Sequence, residues 1–269
     1  MEDLERLRKK RLFLLDLDGT LYFDENLIDG TAELLRCVRE RGGRCMYLTN
    51  NSSKGGRDYV EKMHRLGLEA AEDDFFTAAN AAVRYLLDHG GTERLHYVVG
   101  TASFRAQLRG AGIRVTENRD DPVDTLVVGH DTELTFRKIE DACVLLGRGV
   151  EYVATNPELT CPTWFGYVPD CGSVCGMLRN ATGRSPTVVG KPKPDMARYA
   201  MEAAGVPPEE TVMIGDRLYI DIACGVNAGV DTVLVLTGES QRKDIPASDA
   251  KPTFVLRDVK ELYEIIRES

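Results

Sequence analysis

The stretch RLFLLDLDGTLY, residues 11–22, decides the reading of the fold. Leu12, Phe13, Leu14 and Leu15 form an apolar run too short for a helix. It suits a strand buried on both faces, as in a parallel sheet. The run stops at Asp16, and a second carboxylate follows at Asp18, with Gly19 and Thr20 behind it. Acids at the carboxyl end of a buried strand sit where open α/β sheets bind their ligands. Two carboxylates at i and i+2 can divide labour, one attacking or holding a metal while the other moves a proton. The same residues also suit a solvated Asp-Gly turn, so the rest of the chain has to choose.

Outward from that strand, the pattern alternates. A loop over residues 21–29 leads to a helix opened by Asp29-Gly30-Thr31 and closed by Gly42-Gly43. A strand over 44–48 runs into Thr49-Asn50-Asn51-Ser52-Ser53, and a helix over 57–66 stops at Gly67. Strand–helix–strand–helix with short connections predicts a doubly wound sheet. Near residue 79 the alternation restarts. Helices are expected at 79–88, 102–109 and 136–146, and strands at 95–99, 113–115, 125–128 and 152–154, followed by a long loop over 155–170. Short α/β units then return. A strand over 187–189 ends in GKPKP (190–194), and a helix covers 195–204. A strand over 211–214 ends in Gly215-Asp216-Arg217, with Asp221 beyond it. Strands at 233–236 and 254–256 and a helix at 259–266, capped by Asp258, complete the chain. The expected organisation is a doubly wound, Rossmann-like α/β core formed by residues 1–80 and 181–269, with a smaller α/β domain, 81–180, inserted.

Composition bounds the function. The chain's 269 residues suffice for a sizeable core in one or two domains. A net charge of −9 argues against nucleic acid or an anionic membrane as partner. A phosphorylated substrate stays compatible, because a metal or local cation reverses the field inside a cleft. The first ten residues are charged and the apolar run after them breaks at Asp16, so neither a signal peptide nor a membrane span is expected, and the expected compartment is the cytoplasm. Of seven cysteines, only Cys171 and Cys175 are close, with no second pair and no histidine beside them in sequence. That spacing does not suit zinc, and the cysteines are expected as reduced core residues. His64, His89, His96 and His130 fall in no metal or triad pattern and are expected at the surface or in packing.

Four strand ends therefore carry polar groups: Asp16/Asp18, Thr49/Asn50, Lys191 and Asp216/Asp221. In a doubly wound sheet such ends face one edge. The set suits phosphoryl transfer, with carboxylates for Mg²⁺, lysine and hydroxyl donors for phosphoryl oxygens, and one aspartate to attack phosphorus. Individually each has a plainer explanation: a surface lysine, a helix cap at Thr49-Asn50, a turn at Gly215-Asp216. Four such coincidences in one order at strand ends make those explanations fail together.

DLDGT (16–20), LTNNS (48–52), GKPKP (190–194) and GDRLYID (215–221) occur in the order found in the haloacid dehalogenase (HAD) superfamily of phosphohydrolases. The chain most resembles the NagD and 4-nitrophenylphosphatase-like branch, in which an α/β cap is inserted between the second and third motifs. The resemblance implies Asp16 as nucleophile and Asp18 as general acid/base. It implies Mg²⁺ bound by the Asp16 side chain, the Asp18 backbone carbonyl and the Asp216 side chain. Thr49 and the backbone of Asn50 would cradle the phosphoryl group, Lys191 would offset its charge and that of Asp16, and Asp221 would hydrogen-bond around the metal or Lys191. Ile220 departs from the pattern, where the branch commonly has Thr. The implied activity is hydrolysis of a small phosphorylated metabolite, a sugar phosphate or nucleoside monophosphate, through an aspartyl-phosphate. Trp164 and Phe165 in the 155–170 loop are candidates for substrate contact or for packing within the cap, and caps of this branch often form homodimers. A dehalogenase or phosphomutase on the same fold is the alternative in kind. A phosphate-binding regulatory module without turnover would be expected to lose Asp16 or Asp18, and both are present.

Overall fold

The computed structural model describes residues 2–163 and 165–268. The chain divides into two compact units. The first comprises the chain up to Thr49, Tyr59–Phe76 and the chain from Lys191, and the second comprises Asn50–Asp58 and Thr77–Gly190.

In the first unit, strand Leu12–Leu15 is central, as its apolar run requires. Its parallel neighbours are Thr211–Gly215 on one side and Arg44–Thr49 on the other. Asp231–Val235 and Phe254–Leu256 extend the sheet beyond Thr211–Gly215, and Phe75–Thr77 forms the opposite edge. Phe13 and Leu15 point into one core with Tyr47, Val212, Ile214, Val233 and Val235. Leu12 and Leu14, one residue out of phase with them, are also fully buried, so both faces of the sheet are covered. Helices Thr31–Glu40 and Val259–Arg267 supply Leu34, Leu35, Val38, Leu262 and Ile266 to the first face. The charged leader is a helix, Glu2–Arg8, whose Leu7 belongs to that core. Residues 21–29 contain a small antiparallel hairpin, Tyr22–Phe23 with Asn26–Leu27, turning through Asp24 at φ +53°, a conformation Asp tolerates.

The second unit has a five-stranded parallel sheet, in the order Thr187–Val188, Glu151–Ala154, Thr125–Val128, Leu95–Val99, Arg114–Thr116. Its core joins Tyr97, Val99, Leu126, Val128, Leu145, Tyr152, Val174 and Leu178. Three boundaries differ from the sequence expectation. Strand Thr187–Val188 pairs with Glu151–Ala154, so residues 181–190 belong to the second unit instead of opening the second stretch of the core. Residues 77–80 begin a helix of the second unit, Ala78–Asp88, capped by Thr77. Residues 50–58 are held by the second unit through hydrogen bonds described below. The 155–170 loop contains an antiparallel hairpin, Thr160–Thr163 with Gly166–Pro169, and a helix, Cys171–Thr182, follows it. Pro162 and Gly166 disguise the hairpin, and two glycines in CGSVCGMLRNAT weaken the helical signal. No helix among the described residues is long and apolar enough to cross a membrane.

Candidate active site

Both neighbours of the central strand run parallel to it, so their carboxyl ends share one edge. Leu15 lies opposite both Ile214 and Tyr47, which brings the residues just after them together. Asp16 continues the ladder, its N–H donating to the Ile214 carbonyl at 2.9 Å.

Lys191 ties this edge together. It is 1% exposed, and its Nζ donates to Asp16 Oδ1 at 2.6 Å, Asp221 Oδ1 at 2.7 Å and the Leu48 carbonyl at 2.9 Å. Three bonds use all the protons of an ammonium group, which is how a buried lysine is tolerated. Burial alone would lower its pKa, but Asp16 and Asp221 outweigh that and raise it. Asp221 sits on a wide helical turn, Leu218–Ile222, and its Oδ2 accepts from the Arg217 N–H at 3.1 Å. Asp216 Oδ2 accepts from the Glu239 N–H at 2.7 Å. Two glycines permit this crowding. A Cβ on Gly19 would stand 2.9 Å from the Asp216 carboxylate at φ +87°, and one on Gly238 would stand 1.9 Å from it.

Oxygens of Asp16, Asp216 and Asp221 lie within 4.8 Å of one another. Burial, then the charge of Asp221, raises the Asp16 pKa well above the usual carboxylate range, and Lys191 opposes the rise. Burial and Asp221 push Asp216 up to about 7. Asp216 Oδ1 is buried with no hydrogen-bond partner among the described residues. An all-oxygen set with more carboxylates than cations and an orphaned oxygen fits a hard divalent cation. Asp18 stands apart from this cluster: its side chain is 45% exposed, with Lys62 Nζ 4.0 Å away. Thr49 and Asn50 are both buried, and Ile220 is buried as an apolar side chain. Phe165 is 63% exposed, and Trp164 lies outside the described residues.

In the second unit, a polar cluster holds residues 50–53. Asn156 Nδ2 donates to the Asn50 carbonyl at 2.9 Å, and the His130 N–H donates to Ser52 Oγ at 3.0 Å. Ser52 Oγ and Thr155 Oγ1 are 3.2 Å apart, and Thr101 Oγ1 donates to the Ser53 carbonyl at 3.0 Å. His130 is not a surface or simple packing residue. Its Nδ1 lies 2.8 Å from Asp170 Oδ1, both groups are buried, and although burial opposes it, the Asp170 carboxylate raises the imidazole pKa. Cys161 lies with this pair within 4.8 Å. Sequence reasoning missed Asn156, although Thr155-Asn156 repeats at the end of strand Glu151–Ala154 the pattern of Thr49-Asn50. All seven cysteines are thiols outside any disulfide, and Cys171 and Cys175 are buried on one helix.

Comparison with known proteins agrees with this architecture. The family model described as haloacid dehalogenase-like hydrolase matches residues 13–114, and a second, HAD-hydrolase-like model matches 188–262. The acid sugar phosphatase of Staphylococcus aureus (strain MRSA252) is 30% identical over 255 residues, covering 95% of this chain and 97% of its own. The crystal structure of 4-nitrophenylphosphatase from Thermotoga maritima superposes with a TM-score of 0.90 at 37% identity, over 97% of this chain and 99% of its own. A glycerol phosphate phosphatase from Mycobacterium tuberculosis, solved with magnesium, gives a TM-score of 0.90 at 28% identity, over 96% of this chain and 77% of its own. The chain belongs to the haloacid dehalogenase-like hydrolases, as a phosphatase of the NagD and 4-nitrophenylphosphatase branch.

Proposed function

We propose that this phosphatase hydrolyses monoesters of small phosphorylated sugars or related polyols through an aspartyl-phosphate on Asp16. One observation carries the assignment of the nucleophile. Of the three clustered carboxylates, Asp216 and Asp221 are 2% and 1% exposed, whereas the Asp16 side chain keeps 14%. Only Asp16 can meet a phosphorus atom arriving from outside. Lys191, 2.6 Å from it, opposes the burial that raises its pKa.

Attack forms the bond from the Asp16 carboxylate to phosphorus and breaks the ester P–O bond. Asp18, half-exposed and two residues on, gives its proton to the departing alkoxide, then takes one from the water that cleaves the acyl phosphate. Phosphate leaves and Asp16 is restored. Asp16 and Asp216, with the Asp18 carbonyl, are assigned as ligands of Mg²⁺, and Asp221 as the group that keeps Lys191 in place. When bound, the cation neutralises charge on the phosphoryl oxygens. Thr49 and Asn50 are assigned to the phosphoryl group, and choice among esters is assigned to the inserted unit, including the segment with Trp164 and Phe165.

The names of the relatives support sugar and polyol phosphates over nucleotides. Phosphate release across a metabolite panel with Mg²⁺ tests this. Sugar and glycerol phosphates are expected to lead in kcat/KM. A clear preference for nucleoside monophosphates overturns the substrate class, and no release from any monoester overturns the function.

A further inference from the structure

We infer that Asn156 is the positioning residue for the phosphoryl-binding turn that begins at Thr49-Asn50, and that Asp170, backed by His130, aims its amide. This inference rests on the assignment of that turn to the phosphoryl group and adds a residue to which neither motif nor family likeness pointed.

Asn156 is fully buried and every polar atom of its side chain is engaged. Nδ2 donates to the Asn50 carbonyl at 2.9 Å and to Asp170 Oδ1 at 3.4 Å, and Oδ1 accepts from the Glu158 N–H at 3.0 Å. The amide therefore has one orientation, because turning it over would set its oxygen against a carbonyl and a carboxylate. Asp170 is itself fixed. Its Oδ1 caps helix Cys171–Thr182 by accepting from the Cys171 N–H at 2.5 Å and stands 2.8 Å from His130 Nδ1. His130 in turn gives its backbone N–H to Ser52 Oγ, two residues past Asn50.

The consequence for the turn follows from peptide planarity. Fixing the direction of the Asn50 carbonyl fixes the Asn51 N–H, which shares its plane and points the opposite way. Asn51 Oδ1 locks the next step, accepting from the Ser53 N–H at 2.9 Å and Ser53 Oγ at 2.7 Å. Gly190 leaves room beside both groups: a Cβ there would stand 2.3 Å from the Thr155 carbonyl and 2.7 Å from Asn50 Oδ1. Donors to an anion are most effective when already oriented, and here one side-chain amide sets that orientation.

The test uses the full chain with Mg²⁺ and inorganic phosphate as the probe, titrated calorimetrically, so that it does not depend on turnover. Asn156→Ala is expected to weaken phosphate binding about tenfold, and to raise KM for glycerol phosphate and 4-nitrophenyl phosphate by one common factor, since the turn meets only the group they share. A merely structural role would reduce the active fraction, hence kcat, and leave phosphate affinity and KM unchanged. Asn156→Asp adds a signature. Its deficit relative to the parent should shrink as pH falls, when the protonated carboxyl can donate to the Asn50 carbonyl in place of the amide. The titratable groups facing that position are Asp170, His130, Glu158 and the Cys171 thiol, with Asp131 beyond His130. Phosphate affinity within twofold of the parent in Asn156→Ala, a pH-independent deficit in Asn156→Asp, or no phosphate binding by the parent chain each overturns the inference. A parent that binds phosphate but hydrolyses no ester overturns the proposed function and leaves the inference standing.

Discussion

Replacing Lys191 by methionine keeps the volume and removes the charge, and its cost can be worked from the geometry. The ammonium group makes three short contacts, two of them to carboxylates, with 1% of the residue exposed. Removing one partner of a buried ion pair typically costs about 3–5 kcal/mol, because the other charge stays buried and uncompensated. Here two carboxylates lose their partner at once, but protonation limits the damage. Asp16 and Asp216 already have native pKa values raised above the ordinary carboxylate range, and Lys191 is one of the groups holding them down. Without it they bind protons more readily still. The native state then carries more protons than the unfolded chain, so stability falls as pH rises from about 4 through the raised native pKa values. In chelator at pH 8, Lys191→Met should lower the unfolding midpoint by roughly 10 °C, the equivalent of the pair energy for a chain of this size. At pH 5 the loss should be clearly smaller. Thermal unfolding followed by circular dichroism at the two pH values reads this directly, and turnover should fall at least ~100-fold. A midpoint within about 2 °C of the parent at pH 8 would show that Lys191 does not hold the carboxylates together.

Asp16→Asn should lower kcat by several orders of magnitude while the fold persists, and retention of more than about a tenth of parental turnover would exclude covalent attack by this residue. Mg²⁺ should raise the midpoint of the metal-free protein most at alkaline pH, where the clustered carboxylates are ionised, and chelation should abolish phosphate release. Full activity in excess chelator contradicts the metal assignment. Trp164→Ala is expected to lower kcat/KM about ten- to a hundredfold on the best ester and to change acetyl phosphate hydrolysis much less. An equal loss on both would make that residue structural.

The meeting of Asp16 and Asp216 was legible in the sequence because each directly follows a buried strand. An apolar run terminated by Asp16, a second by Thr49 and a third by Gly215-Asp216 announce strand ends, and parallel pairing puts them on one edge whatever the details of packing. Lys191 was legible as a motif lysine, but its complete burial and its bond to the Leu48 carbonyl were not, since burial depends on what surrounds it. Local pattern failed where the partner is distant along the chain. Strand Thr187–Val188 reads equally well in either sheet, and only its pairing with Glu151–Ala154 assigns it to the second unit. The extreme case is Asn156, 106 residues from the carbonyl it holds. A side-chain amide has no periodicity and no local signature, so its role exists only once the tertiary fold brings it to the Asn50 carbonyl.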